Sequence, residues 1–66
     1  MYVQLNGESR EIPDGMTVTG LLALLGLAGK RIAVEINEDI VPRSQHGTTL
    51  LKDGDCIEIV HAIGGG

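Results

Sequence analysis

One stretch of this chain, Thr17 to Leu25, repeats its apolar residues at helical spacing, while the other main apolar runs alternate. Val18, Leu21, Leu22 and Leu25 follow the i, i+3, i+4, i+7 pattern of one helix face. Val3 and Leu5, then Ile32, Val34 and Ile36, then Ile57 and Ile59 fall on every second residue, the period of a half-buried strand. A lone amphipathic helix among such strands buries its stripe against the apolar face of a sheet. With 66 residues there is room for one domain only, near the lower size limit for folding without metals or disulfides.

The turn residues place these elements in order. Asn6-Gly7 between two short runs is a hairpin signal, so Tyr2 to Leu5 and Glu8 to Ile12 are read as paired strands. Pro13-Asp14-Gly15 forms a turn, Thr17 caps the helix, and Gly26 or Gly29 ends it. Gly20 lies in the first turns, where glycine costs about 1 kcal/mol relative to alanine and replaces the Glu or Gln of a capping box. Arg31 to Asn37 is a strand beneath the helix, Asn37-Glu38-Asp39 a turn, and Ile40 to Arg43 a short strand closed by Pro42. Ser44 to Gly47 reads as an irregular loop, Thr48 to Leu51 as another short strand, Lys52 to Asp55 as a turn and Cys56 to Ile63 as the last strand. The resulting order, β-β-α-β-(β)-β, is the plan of an α+β, β-grasp (ubiquitin-like) domain. Its mixed sheet has four to five strands, the first and last central, with one main helix across one face. The expected division is a body over residues 1–62 and a flexible glycine tail over 63–66.

Composition narrows the partners. Hydrophobic residues make up 42% of the chain and charged residues 21%, a globular and not a disordered profile. A formal net charge of −4 argues against nucleic acid or anionic membrane and favours a partner with a basic face. Cys56 is the only cysteine, which excludes an internal disulfide or a cysteine-based zinc cage and fits a reducing cytoplasm. The first residues lack the basic and long apolar regions of a signal peptide, and the run Leu21 to Leu27 is too short to span a bilayer. A soluble cytoplasmic protein, monomeric when free, is expected.

Few side chains suggest chemistry. His46 and His61 lack a companion ligand at metal spacing, so no metal is expected. The glycines do not compose a phosphate loop, so the chain itself should bind no ATP or other cofactor. Cys56 has no local basic partner to activate it and reads as a strand filler. Asp53 and Asp55 flank Gly54 in what reads as a solvated turn. Val60 and Ala62 stand with Glu58 on the side of the last strand away from the helix, where an apolar strip would mark a docking surface; Leu24, off the helix stripe, is ambiguous in the same way.

The remaining candidate is Ile63-Gly64-Gly65-Gly66. Three residues without Cβ can enter a channel too narrow for side chains, and four extended residues reach roughly 13–14 Å. The Gly66 carboxylate is then the reacting group, and as a poor electrophile it needs activation by another protein. Against this stands an ordinary frayed end.

Several segments together resemble a known family. They are the N-terminal hairpin, Thr17-Val18 with Leu21-Leu22, the run Ala33 to Arg43, and Asp53-Gly54-Asp55 leading through Ile57-Glu58-Ile59-Val60 to Gly65-Gly66. In these the chain is similar to ThiS, the sulfur carriers of thiazole (thiamin) biosynthesis. The resemblance implies a protein co-substrate and not an enzyme. It implies that a ThiF-like enzyme adenylates the Gly66 carboxylate with ATP and Mg²⁺, that a sulfur donor such as a cysteine desulfurase supplies its conversion to a thiocarboxylate, and that thiazole synthase (ThiG) receives the sulfur. It also implies that Gly64 and Gly65 thread into the partner, with Ile63, Ala62, His61 and Val60 near the partner surface. The chain departs from the pattern at Gly20, where related helices often have an acidic residue, and in ending on three glycines where two suffice. The residues leave open a carrier for molybdopterin or tRNA thiolation, ubiquitin-like protein modification, and a non-covalent β-grasp interaction module.

Overall fold

The computed structural model describes residues 1–61. The chain forms β1 (Tyr2–Leu5), β2 (Glu8–Glu11), α1 (Val18–Leu24), β3 (Ile32–Ile36), β4 (Asp39–Val41), a 3₁₀ turn (Arg43–Gln45) and β5 (Cys56–His61). The five strands make one mixed sheet in the order β2-β1-β5-β3-β4. β5 lies at its centre, parallel to β1 and antiparallel to β3, and the two hairpins flank it. This is the β-grasp arrangement expected from the sequence, with the first and last strands as neighbours.

Alternation decides which side chains meet the helix. Val3 from β1, Val34 from β3, and Ile57 and Ile59 from β5 are buried together with Val18, Leu21 and Leu22 of α1, and Ile12 and Leu51 close the edges of this core. Burying each such aliphatic side chain contributes about 1.5–3 kcal/mol. That contribution sustains a helix of only seven residues, far below the length at which helices persist alone in water.

Both ends of α1 are capped as their residues demand. Thr17 is extended, and its Oγ1 accepts the Gly20 amide at 3.1 Å. At the other end Gly26 takes φ +75°, its amide reaches Ala23 O at 3.1 Å and the Leu27 amide reaches Leu22 O at 2.8 Å. These are the two hydrogen bonds of a Schellman ending, so Gly26 and not Gly29 stops the helix.

The sequence expectations fail mainly between β4 and β5. Thr48 to Leu51 is not a sheet strand, and only Leu50 makes a bridge, to Thr17. The backbone of this segment is taken up by the entry to the helix: Val18 N donates to Thr49 O at 3.1 Å and Leu51 N to Met16 O at 2.9 Å. The loop expected over Ser44 to Gly47 is partly regular, because a 3₁₀ turn begins immediately after Pro42, which caps it from extended backbone at φ −58° and ψ 146°. The last strand is described to His61; Ala62 and Ile63, expected to continue it, lie outside the described residues, as do the body–tail boundary and residues 63–66.

Candidate functional site

β5 is the strand that leads toward the glycines, and both its edges are held. On one edge Gln4 N donates to Asp55 O at 2.8 Å and Asn6 N to Ile57 O at 2.9 Å. β1 ends there, because Asn6 (φ 50°) and Gly7 (φ 84°) turn into β2. The Asn6 side chain then continues the ladder where the backbone stops. Its Oδ1 accepts the Ile59 amide at 2.8 Å and its Nδ2 donates to Ile59 O at 3.2 Å. On the other edge β3 pairs with β5 from Ile36↔Ile57 through to Ile32↔His61.

A second asparagine fixes the start of the strand. Asn37, at φ 51° in the β3–β4 turn, donates its amide to Cys56 O at 2.7 Å and accepts the Cys56 amide on Oδ1 at 3.0 Å. Its Nδ2 donates to Asp55 Oδ1 at 3.1 Å, and Asp55 Oδ2 accepts the Lys52 amide at 2.8 Å. Asp55 is therefore buried and bonded, which corrects its reading as part of a solvated turn. The neighbouring Asp53 is exposed as expected, yet it too is engaged, accepting the Tyr2 amide at 2.8 Å.

At its far end β5 presents Val60 and His61, both exposed. Alternation puts Val60 with Cys56 and Glu58 on the face away from the helix, and His61 on the same side as Ile57 and Ile59. Lys30 and Arg31 precede β3 at this end of the sheet, and the Arg43 guanidinium donates to Lys30 O at 3.2 Å. An open cleft of about 290 Å³ lies beside it, lined among others by Thr19, Leu22, Lys30, Ile32, Arg43 and His46. His46 is buried, with Nε2 3.0 Å from Val41 O, so that nitrogen carries the proton and donates. No pattern in the sequence signalled this bond.

Of the residues expected at the site, Val60 and His61 are thus placed together at the end of the central strand. Ala62, Ile63, Gly64, Gly65 and Gly66 lie outside the described residues. Cys56 is exposed and unbridged on the open face, and Leu24 is exposed on the helix. Among the described residues no three His, Cys, Asp or Glu side chains gather as a metal group, and no helix is long and apolar enough to cross a membrane. The clamps made by Asn6, Asn37 and Asp55 were missed in the sequence, although an asparagine at each hairpin turn was the available sign.

Comparison with known proteins agrees with this architecture. The ThiS family model matches residues 3–66. A sulfur carrier protein ThiS of Bacillus subtilis is 40% identical over 65 residues, covering 97% of this chain and 98% of that protein. The Escherichia coli protein of the same name is 35% identical over the whole of both chains. A thiazole synthase of Magnetococcus marinus is 46% identical over 66 residues, and there the chain spans only 20% of the relative's length. The crystal structure of a thiamine biosynthesis protein (ThiS) from Geobacter metallireducens superposes with a TM-score of 0.88 at 32% identity, covering all of both chains. With its sheet order, its capped helix and a match that runs almost from end to end, the chain belongs to the ThiS family.

Proposed function

We propose that the chain is a sulfur carrier of thiazole formation in thiamin biosynthesis, with the Gly66 carboxylate as its reacting group. The observation that carries this is full-length likeness to two proteins named as ThiS sulfur carriers, at 40% and 35% identity. A ThiF-like enzyme adenylates the carboxylate with ATP and Mg²⁺, converting a poor electrophile into one with a good leaving group. Sulfur from a donor of the cysteine desulfurase kind, released at the sulfide level by a thiol reductant, then attacks the activated carbonyl and expels AMP, and the chain holds it as a thiocarboxylate. Thiazole synthase receives it; the likeness to part of a thiazole synthase supports that partnership.

The body's part is mechanical. Hydrogen bonds along both edges of β5 fix the strand; in this reading Gly64, Gly65 and Gly66 thread into the partner, and Val60, His61, Ala62 and Ile63 meet its surface. Removing Gly65 and Gly66 tests the reading in reconstituted thiazole formation with purified partners. The shortened protein should keep its thermal transition and lose all sulfur transfer; transfer at the unshortened rate would overturn the proposal.

A further inference from the structure

The sheet face turned away from α1 carries an arrangement that the fold itself does not require. Glu35 of β3 and Glu58 of β5 are directly opposite in the antiparallel register, so both carboxylates project from the same face. Cross-strand Cβ atoms lie about 4.5–5.5 Å apart, and like charges placed opposite one another destabilise a sheet. Among the described residues no Lys, Arg or His nitrogen lies within ion-pair distance of either; the ion pair found there is that of the Met1 amine with Asp14. Arg10 is opposite Val3 and so on the helix side, while Lys30, Arg31, Arg43 and Lys52 lie beyond the strands.

Apolar groups flank the two acids on the β4 side and toward the end of β5. The next pair along the same strands is Ala33↔Val60, and β4 sets Ile40 opposite Glu35. Ile40 is 70% exposed and Val60 54% exposed, leaving two aliphatic side chains in water on either side of the carboxylates. An occupant that matches this face has a cation at its centre and apolar groups beside it. Arginine fits best, since its planar fork can meet both carboxylates while its stem lies on aliphatic neighbours. A second copy of the chain would set its own carboxylate pair against this one and be repelled. A bare calcium ion needs six to eight oxygen ligands, more than two carboxylates supply.

We propose that this face, centred on Glu35 and Glu58 and edged by Ala33, Val60 and Ile40, docks thiazole synthase through an arginine-centred basic patch on that enzyme. This rests on the reading of thiazole synthase as the partner. The Magnetococcus marinus relative, in which a segment like this chain is one fifth of a thiazole synthase, joins the two in one protein and so at high local concentration. Val60 also makes the docking face continuous with the strand end that leads toward Gly66.

The test is calorimetric titration of the purified chain into purified thiazole synthase from the same organism, at low and at moderate salt. The double variant E35Q/E58Q is compared with E8Q/E38Q, which removes the same charge from other exposed positions. Docking predicts that E35Q/E58Q binds about tenfold more weakly or worse and loses most of the salt dependence, while E8Q/E38Q stays within about twofold. It also predicts that E35Q/E58Q melts at a higher temperature, since the repulsion is gone, a split that a purely structural pair of glutamates would not give. Equal binding by both variants and the unaltered chain, or a lowered melting temperature of E35Q/E58Q, overturns the docking and leaves the partner reading intact. No binding by the unaltered chain overturns the partner reading and the docking with it.

Discussion

Asn6 and Asn37 occupy left-handed backbone, at φ 50° and 51°, in the two tight turns that flank the central strand. Asparagine tolerates that conformation better than most residues and keeps a short amide able to act as donor and acceptor at once. Each uses it on β5, Asn6 at Ile59 and Asn37 at Cys56. Replacing Asn6 by alanine forfeits both hydrogen bonds to Ile59 and strains the turn, so unfolding in urea should show a loss of about 2–3 kcal/mol. Asn6→Gly keeps the turn relaxed and isolates the clamp, with an expected loss of about 1–2 kcal/mol. In both variants the Ile59 amide should exchange with solvent faster; unchanged protection there would contradict the clamp. The sequence showed the turn at Asn6-Gly7 but not the clamp. A side-chain partner 53 residues away depends on which strands become neighbours, and no local pattern carries that. Asp55 was misread for the same reason, since its partner Asn37 comes from another hairpin.

Elements were legible wherever a period and a cap agreed. α1 combines an apolar stripe, Thr17 at its start and Gly26 just past its end, and the structure follows all three signals. Thr48 to Leu51 had strand composition without a periodic partner, and its backbone went to the helix entry instead of to a sheet edge. Gly20 is the weak position of the helix. A Cβ there would meet Met16 Cγ at 3.3 Å and Thr17 Oγ1 at 3.5 Å, close but relieved by a small shift of a flexible methionine. Gly20→Ala should therefore stabilise by about 0.5–1 kcal/mol and raise the melting temperature by several degrees in calorimetry. A lower melting temperature would show that Met16 cannot give way.

At the scale of the whole molecule, the fold divides the sheet into a covered face and an open one and sends its central strand toward the glycines. The topology could be foreseen because one helix and several alternating strands leave few ways to bury the apolar face. The acidic pair on the open face could not, since Glu35 and Glu58 become neighbours only through the β3–β5 register. In the proposed function the body positions and presents, and the chemistry belongs to one terminal carboxylate. The most direct measurement of that claim is the intact mass of the chain after incubation with its activating enzyme, ATP, Mg²⁺ and a sulfur donor. The predicted result is a mass raised by the difference between one sulfur and one oxygen, with fragmentation placing the change at Gly66; a chain that remains a plain carboxylate with an active partner enzyme would contradict it.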